Sequence, residues 1–243
     1  MPKQLVIIPT YNEAENIEAI IQAISLLIQD FHVLVVDDFS PDGTYKIVQR
    51  LIDTSNQSFL HLIVRKQKSG LGTAYIEGFK WALANDYDFV FEMDADFSHA
   101  PKDLLPMFNM LHHKKADVVI GSRYVKGVNV VNWPMKRILM SWLASKYVKF
   151  ITGLPINDST AGFVGFRKEV LQKINLDKVK FVGYAFQIEM KFIAYQLGFN
   201  IVEFPVVFTD RSKGKSKMNT SIIWEAIFGV VKLKLKSWFG KIN

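Results

Sequence analysis

The 243 residues suit one large domain or a domain with an appendage, and the absence of cysteine excludes disulfides and thiolate metal sites. The whole formal charge of +7 sits after Asp210, where eight bases meet one acid; the first 210 residues carry 22 of each. A balanced body with a basic tail argues against a nucleic-acid binder and for a local anionic partner, phosphates or a membrane surface. Met1-Pro2-Lys3-Gln4-Leu5 runs straight into a strand, which reads as a start without a secretion signal. Strand Leu5 to Ile8 leads through Pro9-Thr10-Tyr11-Asn12-Glu13 into a helix ending near Ile28, with Ile17, Ile20, Ile21 and Ile24 at helical spacing. Strand Val33 to Val36 meets Asp37-Asp38. The turn Ser40-Pro41-Asp42-Gly43 then opens a helix from Thr44 to Ile52. Strand Leu60 to Val64, helix Thr73 to Leu83, an apolar strand ending at Met93, a helix from Pro101 and strand Ala116 to Ile120 follow. This alternation predicts an α/β fold: a mainly parallel sheet with helices on both faces, and ligands at the carboxyl ends of the strands. Beyond Arg123 come a long amphipathic helix, Pro134 to Ile151, a loop at Asp158 to Gly162, further helices, a short strand Ile201 to Phe204 and a tail helix, Ser221 to Trp238.

Asp94-Ala95-Asp96 carries the most chemistry. Two carboxylates one residue apart at a strand end can share a hard cation, Mg2+ or Mn2+, together with substrate phosphates. Asp37-Asp38 closes an earlier strand in the same way, so two acidic strand ends point to one nucleotide and metal site. For Asp37 a strand-end cap is the competing reading. Gly70-Leu71-Gly72-Thr73-Ala74-Tyr75 fails as a dinucleotide fingerprint, because Tyr75 occupies the third small position and the segment follows the third strand. It reads as a flexible turn before a helix. Arg123 follows a strand and a Gly-Ser turn, and Arg137 precedes Ser141 by one helical turn, on one face. Guanidinium forks match phosphate oxygens, although Arg137 also reads as a solvated helix charge. His99 reads as orienting its loop, and His112-His113 as a helix end.

In order, Pro9-Thr10-Tyr11-Asn12-Glu13, Asp37-Asp38-Phe39-Ser40-Pro41-Asp42-Gly43-Thr44, Gly70 to Tyr75, Asp94-Ala95-Asp96-Phe97-Ser98-His99 and Gly121-Ser122-Arg123 resemble family-2 glycosyltransferases, most closely the polyprenol (dolichol) phosphate mannose synthases. The resemblance covers about residues 4–218. It implies a GT-A fold, a nucleotide-sugar donor such as GDP-mannose, a divalent metal, a polyprenyl or dolichyl phosphate acceptor and a membrane-anchoring partner protein. Residues 1–218 are then the catalytic domain, with 1–125 the nucleotide-sugar half and 126–218 the acceptor half and closing loop; 219–243 form a membrane-associating segment. Pro9, Tyr11, Glu13, Val36, Asp38 and Ala95 are implied donor contacts. Asp94 and Asp96 are implied metal and diphosphate ligands. Ser98 stands where some relatives have a glutamine ligand, so it coordinates directly or through water. Arg123, Arg137 and Ser141 are implied to hold the acceptor phosphate. Arg211 and Lys217, in the basic Arg211–Lys217 segment, are implied to close over the diphosphate. Asp158 is read either as a turn residue or as a group orienting acceptor or sugar, since a phosphate acceptor with a second pKa of about 6 is already mostly a dianion and needs no strong base.

The tail joins apolar stretches too short to span a bilayer to Lys232, Lys234, Lys236 and Trp238. It reads as an interfacial helix or as a helix packed on its own domain. The expected activity is inverting sugar transfer at the cytoplasmic face of a membrane. Two readings compete with it: a family-2 enzyme that moves glucose or another sugar or acts on a surface-polymer saccharide, and a nucleotide-binding membrane scaffold without catalysis. Asp94, Asp96, Arg211 and Lys217 speak against the scaffold.

Overall fold

The computed structural model describes residues 2–55, 58–210 and 220–238. Strands and helices alternate through the first half: β1 (Gln4–Thr10), α1 (Ile17–Ser25), β2 (Phe31–Asp37), α2 (Thr44–Ser55), β3 (Leu60–Val64), α3 (Leu71–Ala84), β4 (Phe89–Glu92), α4 (Leu104–His112) and β5 (Val118–Ser122). The second half holds β6 (Val130–Val131), α5 (Met135–Thr152), β7 (Val164–Arg167), α6 (Lys168–Lys173), α7 (Tyr184–Gln196), β8 (Ile201–Pro205), β9 (Phe208–Thr209) and α8 (Thr220–Trp238). Seven strands form one sheet in the order β3-β2-β1-β4-β7-β5-β8, and β6 pairs with β9 in a second, small sheet.

The apolar runs of β1 and β2 form buried strands because helices cover both faces of the sheet. Alternation divides their side chains. Leu5, Ile7, Leu34 and Val36 pack with α3, α6 and α7, and Val6, Ile8, Val33 and Val35 pack with α1 and α4. Helix α3 lies close on β1 because Gly78 has no side chain; a Cβ there would stand 2.8 Å from Ile7.

Three strands, β6, β7 and β9, had no clear sequence signal. β7 is four residues long with a glycine inside it, and it follows a polar loop. It inserts antiparallel between β4 and β5, pairing Val90 with Phe166 and Val119 with Gly165. Because its direction is reversed, the loop before it emerges at the carboxyl edge of β4 and β5. That reversal carries Asp158 to the strand ends bearing Asp94 and Arg123. β9 is shorter still, and only its pairing with β6 defines it. The tail helix α8 buries Val230 and Leu233 while leaving Phe228, Leu235 and Trp238 exposed. Among the described residues no helix is long and apolar enough to cross a membrane.

Candidate active site

The ends of β1 and β2 are tied by Asp37. Its carboxylate accepts hydrogen bonds from Thr10 Oγ1 at 2.6 Å, Ser40 Oγ at 2.7 Å and Ser40 N at 2.8 Å. Asp37 is fully buried and is therefore the strand-end cap. Asp38 faces the other way, where the Arg65 guanidinium lies 2.7 Å from it. Burial pushes the Asp38 carboxyl up from its ordinary value, with Arg65 opposing. Pro9 is half-buried and pairs in register with Val36, which is fully buried. Tyr11 lies beneath Lys68, 4.1 Å from ammonium to ring centre, and Glu13 Oε2 accepts from Asn16 Nδ2 at 3.1 Å. Thus Pro9, Tyr11, Glu13, Val36 and Asp38 converge at one edge. Gly70 and Gly72 are less free than a flexible turn. Gly72 N donates to Val182 O at 2.9 Å, and a Cβ on Gly72 would stand 2.6 Å from the Phe181 carbonyl.

The loops after β1, β2 and β4 each contain a non-glycine residue with positive φ: Asn12, Phe39 and Phe97. A left-handed phenylalanine is rare and costs of order 1–3 kcal/mol. Both left-handed phenylalanines lie in loops that hold candidate ligands.

Asp94 and Asp96 follow β4. Asp94 is partly exposed, Ala95 is buried, and Asp96 is nearly buried and accepts from Ser98 N at 3.1 Å. Ser98 Oγ is buried with no hydrogen-bond partner among the described residues. An orphaned hydroxyl beside two carboxylates is an all-oxygen donor set, the type that Mg2+ and Mn2+ take. The three residues therefore fit a divalent cation. Among the described residues no cluster of three His, Cys, Asp or Glu forms, so water and substrate phosphates would complete the coordination. His99 packs its ring on Phe163 and against Phe208, and its Nε2 lies 3.9 Å from Asp94. Burial, aided by the Arg123 charge, pushes the imidazole down to about 4, so a neutral ring faces the carboxylate.

Arg123 is nearly buried at the end of β5 and forms a bidentate pair with Asp158: Nε to Oδ2 at 2.7 Å and Nη2 to Oδ1 at 2.6 Å. Its backbone N–H also donates to Asp158, and Nη2 donates to Thr160 Oγ1 at 2.9 Å. Burial alone would raise the Asp158 carboxyl, but the Arg123 charge and hydrogen bonds hold it below the ordinary value. Asp158 is thus a saturated, ionised carboxylate and a poor general base. Arg137 opens α5, donates to Asp210 Oδ1 at 3.0 Å and lies over the Trp133 ring at 4.0 Å. Ser141 stands one turn further along α5. The short β9 joins these parts: Thr209 N donates to Ser98 O at 3.2 Å, Phe208 touches His99, and Asp210 pairs with Arg137. Arg211 and Lys217 lie outside the described residues.

The profile described as Glycosyl transferase family 2 matches residues 5–175, a span that includes every acid and arginine placed above except Asp210 and the basic segment beyond it. The chain belongs to glycosyltransferase family 2. It is 45% identical over 230 residues to the polyprenol monophosphomannose synthase of Mycolicibacterium smegmatis, covering 95% of this chain and 86% of that protein. It is 42% identical to the undecaprenyl-phosphate mannosyltransferase of Micrococcus luteus, covering 97% and 96%. Among solved structures it resembles a mannosyltransferase from Pyrobaculum calidifontis in complex with GDP-Man and Mn2+ (TM-score 0.60, 21% identity, 98% of this chain and 64% of that one). It also resembles glucosyl-3-phosphoglycerate synthase from Mycobacterium tuberculosis in complex with Mn2+, UDP and glucosyl-3-phosphoglycerate (TM-score 0.66, 17% identity, 98% and 80%). These likenesses establish the GT-A fold.

This family-2 glycosyltransferase also holds groups that the sequence motifs do not reveal. Lys191 is fully buried and donates to the carbonyls of Ser159 at 3.0 Å and Ala161 at 2.6 Å. Glu203 accepts from the backbone N–H groups of Asn157 and Asp158, both at 2.9 Å. Together these two side chains fix the loop that presents Asp158. Gln187, four residues before Lys191, reaches Glu92 Oε2 at 2.7 Å. Two polar residues at helical spacing inside an apolar segment were the available signal.

Proposed function

We propose that this enzyme moves mannose from GDP-mannose to a polyprenyl phosphate, with inversion, at the cytoplasmic face of a membrane. The observation that carries the proposal is the short β9 strand. It brings the loop of Asp94, Asp96 and Ser98 against the cluster of Arg123 and Arg137, so an acidic, metal-suited edge faces a phosphate-suited one. The two relatives named for polyprenol and undecaprenyl phosphate, matched over nearly the whole chain, support the substrate pair.

Pro9, Tyr11, Glu13, Val36 and Asp38 bind the nucleoside, with Arg65 fixing Asp38. Asp94 and Asp96, with Ser98 directly or through water, would hold Mg2+ or Mn2+. Such an ion neutralises charge on the departing diphosphate. Arg211 and Lys217 add positive charge to the same group. Arg123 and Arg137 orient the acceptor phosphate. One of its oxygens attacks the anomeric carbon as the bond to the nucleoside diphosphate breaks, through an oxocarbenium-like transition state. The acceptor is already a dianion, and Asp158, saturated by Arg123, orients the arginine and takes no proton.

Helix α5 supports delivery from a membrane. It carries no acidic residue, exposes Met135, Leu139, Leu143 and Phe150, and presents Lys146 and Lys149 beside them. The test pairs GDP-mannose and UDP-glucose with undecaprenyl phosphate and with a short, soluble polyprenyl phosphate. A mannosyl lipid phosphate from GDP-mannose alone is expected. Transfer only to a saccharide, or no lipid product from either donor, would overturn the proposal.

A further inference from the structure

The arginine cluster encloses polar atoms that nothing among the described residues satisfies with full hydrogen-bond geometry. The Tyr124 hydroxyl, the Trp133 indole Nε1 and Ser141 Oγ are each shielded from water without a hydrogen-bond partner among the described residues. Such groups are rare in native proteins, and each calls for an explanation. These three share one neighbourhood. The Trp133 ring centre lies 4.0 Å from the Arg137 guanidinium carbon and 5.3 Å from that of Arg123. The Tyr124 ring centre lies 5.4 Å from the Arg123 guanidinium carbon. Burial raises the Tyr124 phenol, while an interaction with the Ser141 hydroxyl and the Arg123 and Arg137 charges act against that rise. Tyr124 and Ser141 thus face each other without the geometry of a full hydrogen bond. Asp158 and Asp210 each balance one arginine, but neither carboxylate reaches the three orphaned atoms.

Three unsatisfied donors around two guanidiniums describe a site for an anion with several acceptor oxygens. A phosphate monoester has that chemistry: a compact dianion with three terminal oxygens. Ser141 already belongs to the acceptor reading, whereas Tyr124 and Trp133 are unassigned. We propose that the Tyr124 hydroxyl and the Trp133 indole N–H bind the acceptor phosphate and set specificity for a phosphate monoester over a bare alcohol. The proposal rests on the lipid-phosphate function argued above. Specificity follows because an alcohol would leave these buried donors unpaired, which a polar site penalises strongly. Trp133 has a second part in it: its ring stacks under Arg137 and holds the guanidinium toward the same point.

Tyr124→Phe deletes one oxygen and Trp133→Phe keeps a ring while removing the N–H. A structural hydroxyl would stabilise the fold, and its loss would lower Tm. A hydroxyl kept for a ligand has no well-formed hydrogen bond to lose among the described residues. Both variants are therefore expected to keep the wild-type Tm and the wild-type KM for nucleotide sugar. KM for a short, soluble polyprenyl phosphate is expected to rise roughly tenfold or more. Calorimetric titration with a short alkyl monophosphate reads the site independently of turnover. The wild type should bind it, the alkyl alcohol should not bind, and Tyr124→Phe should weaken the phosphate. If the wild type binds alkyl phosphate and the variant weakens it, yet no lipid product forms, the site stands and the lipid function falls. Unchanged phosphate affinity in both variants, or no phosphate binding by the wild type, overturns the assignment.

Discussion

Asp37 and Asp38 are neighbours with opposite tasks, because successive side chains at a strand end point to opposite sides. Asp37 gathers Thr10 and Ser40, so Asp37→Ala should cost stability: three hydrogen bonds lose their acceptor, at roughly 1 kcal/mol each. Asp38→Ala should weaken nucleotide binding with a smaller effect on Tm. A denaturant titration beside a nucleotide-binding isotherm separates the two. Asp96→Asn should nearly abolish turnover while leaving the fold intact, and chelation should do the same; full activity in excess chelator would exclude a metal-dependent reaction. These acids were legible in the sequence because a strand and its terminal carboxylates are adjacent in the chain. The Arg123–Asp158 pair was not, since nothing local reports that a carboxylate 35 residues on will clamp the guanidinium. Removing one member of a buried pair strands the other charge, so Asp158→Ala should lower unfolding free energy by about 3–5 kcal/mol. Its pH dependence has a definite sign. The folded carboxyl titrates below its ordinary value, so the pair's contribution is whole above the ordinary carboxylate range. It is lost as pH falls through the lowered folded value. Acid-unfolding curves of the wild type and Asp158→Ala should converge only there.

At the scale of elements, long periodic segments were readable and short paired ones were not. The isoleucine spacing of α1 and the apolar runs of β1 and β2 survive, although α1 runs from Ile17 to Ser25 and not from near Glu13 to Ile28. β7 and β9 have four and two residues, and their existence depends on partners far along the chain. Yet those two strands set Asp158 and Asp210 beside Arg123 and Arg137. Lys191 shows the same limit. From sequence it is a lysine in α7; in the fold it is the inner clamp of the 157–163 loop. Lys191→Met would leave two buried carbonyls without a donor, costing roughly 1–3 kcal/mol each. The loop should loosen before the sheet does. Hydrogen exchange should show faster amides at residues 158–163 with β1 and β2 still protected. Uniform protection across the chain would show that Glu203 alone holds the loop.

At the scale of the whole molecule, lysines and exposed apolar side chains occur together on two helices, α5 and α8. Helices α5 and α8 pack against each other, and Lys234 Nζ donates to Thr152 O at the end of α5. Phe150 is 85% exposed, Met135 75% and Trp238 70%. Each such side chain would gain roughly 1.5–3 kcal/mol on full burial in lipid, and each lysine near an anionic surface about 1 kcal/mol. Both terms are needed for stable attachment, and they respond differently to salt. Exposed charges are screened; apolar insertion is not. The protein should therefore sediment with anionic vesicles at low salt and be only partly released at high salt. Removing α8 is a poor test, because Val230 and Leu233 are buried and their loss would open the core. Met135→Ser with Phe150→Ser is cleaner, since exposed substitutions change stability by only about 0.5 kcal/mol. That double variant should keep its Tm, bind vesicles at least tenfold more weakly and lose turnover on long-chain lipid phosphate. Its turnover on a short, soluble polyprenyl phosphate should match the wild type. Vesicle binding equal to the wild type would move the membrane contact off α5, leaving Phe228, Leu235 and Trp238 of α8 as the surface to substitute next.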